Sequence, residues 1–237
     1  MREDRRSPAP PRGRGRNHTL RGKWLAGVRT SVLSWSEENW RDFPWRRTRD
    51  PYKLLIAEIL LRQTQARRVI GPYRELVKKF PNPASLARAD QTEVRRIFRP
   101  LGLVQRADGL LQAARILVDE YRGLVPRNLE KLLSLPGLGT YSARAVMCLA
   151  FEEPLPMVDE SSGRLLRRLV GLPDDGPAYS SKKLLDLAGS LVPARFARRF
   201  NLGLLDVAAA CCHVQGPNCS RCPLKRYCNY ARCGHEW

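Results

Sequence analysis

The sequence predicts an all-α protein. Apolar residues recur at helical spacing: Leu55, Ile56, Ile59 and Leu60 in 51–67, and Leu110, Ala114, Leu117, Val118 and Tyr121 in 105–121, with charges between them. No stretch alternates with period two for long enough to build a sheet. Pro, Gly and Asn punctuate the helical segments at Pro81-Asn82-Pro83, Pro100-Leu101-Gly102, Pro126-Arg127-Asn128 and Pro136-Gly137. Many helices of moderate length, joined by short turns and without an internal repeat, imply a helix-on-helix core.

The first stretch, 1–23, is expected to be an irregular basic arm. It carries eight Lys and Arg residues against Glu3 and Asp4, and Pro8, Pro10, Pro11, Gly13, Gly15 and Gly22 interrupt it. Across all 237 residues, 42 Lys and Arg face 23 Asp and Glu, a formal charge of +19. An excess of that size points to a polyanion as partner and says nothing about fold. Hydrophobic residues make up 43%, too many for a disordered chain. The apolar runs 54–61 and 145–151 fall short of the ~20 residues that span a bilayer. The charged, Pro-rich start lacks the apolar core of a secretory signal. The expected location is cytoplasmic, with no membrane contact.

Seven cysteines are unevenly placed: Cys148 stands alone, and six lie between Cys211 and Cys233. Such clustering reads as metal binding in a reducing compartment rather than a disulfide framework. Cys212, Cys219, Cys222 and Cys228, spaced C-x6-C-x2-C-x5-C, can converge on one soft metal centre. A zinc ion on four thiolates is the alternative, although only Cys219 and Cys222 form the C-x2-C pair of zinc ribbons. Cys148 and Cys211, each ending or lying within an apolar run, read as core thiols.

Leu135-Pro136-Gly137-Leu138-Gly139-Thr140-Tyr141-Ser142-Ala143 joins two apolar helical stretches. Gly137 and Gly139 permit a tight turn with positive φ and expose backbone N–H groups at the start of the next helix, an anion site suited to a phosphate. An ordinary interhelical turn has the same composition. Asp159 follows Pro156-Met157-Val158 and precedes a helix carrying Arg164, Arg167 and Arg168. It fits a helix N-cap. A carboxylate held beside a phosphate-binding turn also suits a developing sugar cation.

Together these features resemble the helix-hairpin-helix DNA glycosylases of the endonuclease III kind, over roughly 24–230. The resemblance rests on Pro44-Trp45-Arg46, the Glu58-Ile59-Leu60-Leu61-Arg62-Gln63-Thr64 helix, the hairpin followed by Val158-Asp159 and Arg164, and the cysteine cluster, all in the family's order. Arg49-Asp50-Pro51-Tyr52, 125–128, 145–151 and Phe200-Asn201-Leu202-Gly203-Leu204 are most similar to the G/T mismatch thymine glycosylases. The resemblance implies two helical domains with a DNA cleft between them. A helical barrel with the helix-hairpin-helix motif would span 49–153. A second domain of 24–48 plus 154–237 would hold a four-iron four-sulfur cluster on Cys212, Cys219, Cys222 and Cys228.

It also implies roles. Asp159 would stabilise the oxocarbenium-like state of glycosidic cleavage and activate water. Tyr141 stands where bifunctional members place a lysine nucleophile. A phenol forms no Schiff base, so a monofunctional enzyme that leaves an abasic site is expected. Glu58 matches a glutamate with which adenine glycosylases protonate the leaving purine. Gly137 and Gly139 would grip a phosphate, with Arg164 also on DNA. Gln63 and Leu103 would fill the gap left by the flipped base or probe its partner. The expected partner is double-stranded DNA with a mismatched or damaged base, bound by a monomer.

Two departures bear on the base. Leu103 and Val104 stand where adenine glycosylases have paired tyrosines, and the sequence ends soon after the cysteines, without a domain for reading 8-oxoguanine. Both favour thymine or uracil opposite guanine over adenine opposite guanine or 8-oxoguanine. Ser161 replaces a frequent Asn, which bears on how water or sugar is contacted. A non-catalytic binder of DNA structures is the alternative from another class, and the intact Asp159 argues against it.

Overall fold

The computed structural model describes residues 18–102, 104–174 and 176–233. Twelve α-helices and short 3-10 turns, with no strand, make up the regular structure of the described residues. They are α1 (His18–Glu38), α2 (Pro51–Leu61), α3 (Ala66–Lys79), α4 (Pro83–Ala87), α5 (Gln91–Phe98), α6 (Gln105–Tyr121), α7 (Leu129–Leu133), α8 (Thr140–Phe151), α9 (Glu160–Val170), α10 (Lys182–Leu191), α11 (Ala197–Cys211) and α12 (Asn229–Cys233). The chain divides into two compact units. One is Asp42–Glu153; the other joins the segment ending at Arg41 to the segment starting at Pro154.

Within Asp42–Glu153, α2 is the central element and packs on α3, α6 and α8. Leu54, Leu55, Ile56, Ala57, Ile59 and Leu60 are all buried, so α2 is apolar almost all round. Asp50 caps it, accepting from the Tyr52 and Lys53 amides, and Pro51 supplies the first helical residue. α6 fills the span that its periodicity predicts, with Leu110, Ala114 and Leu117 buried against α4 and α5. The helical reading of 51–67 overruns, however. α2 stops at Leu61, and Gln63 takes a left-handed φ of 51°, so Gln63 lies on a loop rather than on a helix.

In the other unit, α1 packs on α11 and α10, and α9 packs on α10, α11 and α12. α1 begins at His18, inside the stretch expected to be irregular, which corrects the reading of 18–23; the remainder of the arm, 1–17, lies outside the described residues. The reason is packing. Trp24, Val28 and Val32 form a buried stripe at i, i+4, i+8, which outweighs the roughly 1 kcal/mol cost of Gly22 in a helix. Asp206, buried on α11, is paired with Arg41.

Candidate functional site

The hairpin between α7 and α8 is built by its own residues and by α2. Asn128 caps α7 by accepting from the Lys131 amide at 2.9 Å. Gly137 sits at φ 88°, a left-handed turn that glycine adopts without strain. Its Cα side faces Ile59 of α2, whose Cδ1 would lie 3.4 Å from an added Cβ. The Arg62 guanidinium donates to the Gly137 carbonyl at 2.8 Å. Gly139 differs from expectation. It is the N-cap of α8 at φ −111°, an ordinary extended conformation, and an added Cβ would meet nothing within 4 Å. Neither backbone strain nor protein packing requires glycine there. No side chain caps α8. The Gly137 and Gly139 N–H groups find no acceptor among the described residues, which leaves unused donors near the positive start of α8.

Asp159 is the N-cap of α9, as its sequence setting predicts. Its Oδ1 accepts from the Ser162 amide at 2.7 Å and lies 2.7 Å from the Ser162 hydroxyl. The Asp159 amide donates in turn to Ser162 Oγ at 2.9 Å, closing a capping box. Both bonds to the carboxylate use Oδ1, and Oδ2 has no donor among the described residues. Asn201 fixes the approach to this residue. Buried on α11, it accepts from the Met157 amide at 3.0 Å and donates to the Leu155 carbonyl at 3.0 Å. The sequence assigns no role to Ser162, and names Asn201 only within the family-like stretch 200–204. An Asp followed three residues later by Ser, and an Asn inside an apolar helical run, were the signals that could have found them.

Tyr141 is the second residue of α8 and half-buried, in the same unit as the hairpin glycines. Glu58 is buried within the apolar wall of α2. Gln63 is exposed, and its Oε1 accepts from Arg106 at 3.0 Å. Leu103 lies outside the described residues. Arg164 on α9 turns inward within its own unit, where its Nε donates to the Cys212 carbonyl at 2.8 Å.

Cys212, Cys219, Cys222 and Cys228 line one small, largely apolar pocket, together with Leu165, Leu169, Leu224 and Tyr230. Cys211, expected to be a core thiol only, lines it as well. Arg168 and Lys225 are the charged residues of the wall, and no carboxylate or imidazole takes part. Among the described residues no three His, Cys, Asp or Glu side chains stand close enough together to hold a metal ion as they are. Burial pushes the Cys222 thiol up to about 12 and moves the Cys228 thiol the same way. A bare thiol there keeps its proton, and a metal centre is what would hold the thiolate. An all-sulfur donor set between cations, in an apolar wall, fits an iron–sulfur centre.

Comparisons with known proteins bear on the family. The chain is 40% identical over 204 residues to a thymine/uracil-DNA glycosylase of Methanothermobacter thermautotrophicus, covering 86% of this chain and 92% of that one. It is 33% identical to an adenine DNA glycosylase of Mycobacterium tuberculosis over 87% of this chain and 68% of the other. Among solved structures, a thermostable thymine-DNA glycosylase superposes with a TM-score of 0.84 at 38% identity, covering 90% of this chain and 99% of that one. The model of the HhH-GPD superfamily base excision DNA repair proteins matches residues 56–189, more than half of the length, and the chain belongs to that superfamily.

Proposed function

We propose that this protein is a monofunctional DNA glycosylase that removes thymine or uracil mispaired with guanine. The observation that carries the chemistry is Asp159. One carboxylate oxygen is locked by the α9 cap, and the other is left for a reactant. The thymine- and uracil-acting relatives supply the substrate class.

The steps follow from the residues. A base inside a duplex is out of reach, so the target nucleotide is turned out of the stack. The Gly137 and Gly139 amides take a backbone phosphate and set register without reading sequence. Gln63 and Leu103 occupy the vacated space. As the glycosidic bond breaks, positive charge grows on the sugar, and Asp159 Oδ2 stabilises it and orients the attacking water. Tyr141 offers no amine, so the abasic product is released without strand cleavage. Glu58 forms part of the pocket wall. Arg164, held on the Cys212 carbonyl, ties α9 to the cysteine loop and reaches DNA only through that loop.

Cys212, Cys219, Cys222 and Cys228 are read as ligands of a four-iron four-sulfur cluster, since an all-sulfur donor set in one pocket suits such a centre. When bound it would cross-link the end of α11 to the loop 219–228; hydrolysis requires no electron. The protein acts on duplex DNA as a monomer inside the cell.

Single-turnover assays on duplexes carrying G·T, G·U, A·8-oxoguanine and an oxidised pyrimidine test this reading. Release of thymine and uracil opposite guanine, with no borohydride-trapped complex, is the expected result. Excision of adenine instead, or binding without excision of any base, overturns it. A brown protein with iron and sulfide in equal amounts is expected for the cluster, and a colourless protein with stoichiometric zinc overturns that assignment.

A further inference from the structure

The loop between α2 and α3 presents a glutamine in an unusual state. Gln63 is exposed, yet its backbone sits at φ 51°, where side chains with a Cβ are disfavoured. A strained residue on a surface loop persists only when its surroundings hold it, and such residues gather at working sites. Here the holding group is identifiable. Arg106, half-buried at the start of α6, donates from Nη2 to Gln63 Oε1 at 3.0 Å and from Nη1 to the Arg62 carbonyl. The Arg62 guanidinium continues to the Gly137 carbonyl at 2.8 Å. Burial, and then the nearby Arg62 charge, lower the pKa of Arg106.

The chemistry of this clip is directional. A guanidinium only donates, so the amide oxygen of Gln63 must face Arg106. The amide nitrogen, with two donor hydrogens, is left pointing away from it. We propose that Arg106 is a positioning residue for opposite-base recognition: it fixes the Gln63 amide so that the loop offers donors, not acceptors, to the base left unpaired in the duplex. Guanine presents an acceptor at O6 where adenine presents a donor amine. A donor-facing Gln63 therefore favours an orphaned guanine. Through Arg62 the same clip ties the probing residue to the hairpin. The inference rests on the proposed reading of Gln63 as the residue that occupies the vacated space.

The test compares uracil excision opposite guanine and opposite 2-aminopurine, which lacks O6, under single-turnover conditions. The rate ratio is taken within each protein, so a reduced folded fraction cancels. The wild type is expected to favour guanine by about tenfold, the scale of one well-placed base contact. Arg106→Met is expected to bring the ratio close to unity while leaving some excision, and Arg106→Lys to restore part of it. Gln63→Ala should flatten the ratio equally, with the double variant no worse than the poorer single one. If Gln63→Ala changes neither rate nor ratio, the gap-filling reading falls and takes this inference with it. If Gln63→Ala flattens the ratio but Arg106→Met leaves it intact, or if the two losses multiply, the gap-filling reading stands and the role of Arg106 is overturned.

Discussion

Ser162 binds one oxygen of Asp159 twice, through its amide and its hydroxyl, each at 2.7 Å. That arrangement separates two functions within one carboxylate, because the cap consumes Oδ1 and leaves Oδ2 open. Asparagine caps a helix about as well as aspartate. Asp159→Asn is therefore expected to melt close to wild type while losing at least about 100-fold in single-turnover excision, the scale of a general acid–base group. Asp159→Ala should lose the activity and also about 1 kcal/mol of stability. Ser162→Ala should keep some activity with a weaker cap. Thermal melts beside excision rates on G·T and G·U duplexes check all three, and a fully active Asp159→Asn would refute the role given to the charge.

Arg144 on α8 carries a stability cost that its position in the hairpin helix does not repay within the protein. Its Nε and Nη1 are buried and have no hydrogen-bond partner among the described residues. An unmet buried donor costs about 1–3 kcal/mol. Arg144→Met keeps the stem and removes the donors, so the variant is expected to melt higher. In a protein of this size, each kcal/mol moves the midpoint by roughly 2–4 °C. A lower melting point in calorimetry would show that the guanidinium is satisfied in solution.

Much of this organisation can be read from sequence because it is local. The α6 span follows from its 3.6-residue periodicity, and the caps at Asp50, Asn128 and Asp159 follow from short polar side chains placed before apolar runs. The cysteine cluster follows from spacing alone. What escaped depends on distant partners. Gln63 leaves the helix because Arg106, 43 residues away, and Arg62 hold its loop, and no glycine marks the turn. α1 starts at His18 because α11 covers its apolar stripe. Gly139 proved glycine for neither φ nor space, a distinction that needs coordinates.

Two buried tyrosines set an alkaline limit on the unit Asp42–Glu153. Tyr52 donates its hydroxyl to the Phe80 carbonyl at 2.9 Å, and Tyr73 packs edge-on against Trp45. Burial, and then the Asp50 charge, raise both phenols, Tyr73 to about 12. The folded state thus holds these protons more tightly than the unfolded chain, where a tyrosine titrates near pH ~10. Their contribution is complete below that value and is lost as pH rises toward about 12. Tyr73→Phe is expected to flatten the alkaline limb of stability against pH with little change at neutral pH. Tyr52→Phe should also lose about 1 kcal/mol at neutral pH, with its hydrogen bond. Urea unfolding across pH 7 to ~11 checks the sign; a limb unchanged by Tyr73→Phe refutes it.

Gly27 of α1 packs directly against the cysteine loop. A Cβ there would lie 2.3 Å from the Tyr227 hydroxyl and 2.6 Å from its Cζ. Tyr227 cannot retreat freely: it is buried, its carbonyl accepts from the Trp24 indole at 3.4 Å, and the Arg226 guanidinium lies 4.7 Å over its ring. Its neighbour in sequence is Cys228, a proposed cluster ligand. Alanine in place of a helix-interior glycine ordinarily gains up to about 1 kcal/mol. Here the overlap is expected to reverse the sign and cost about 1–3 kcal/mol, the range of overpacked cores. Gly27→Ala should therefore melt lower and release iron to a chelator faster than wild type. Tyr227→Phe removes the nearest clashing atom, so the double variant should recover part of the loss, a coupling visible in a double-mutant cycle. Additive losses would mean that Gly27 and Tyr227 act separately, and that α1 has no hold on the cysteine loop through this pair.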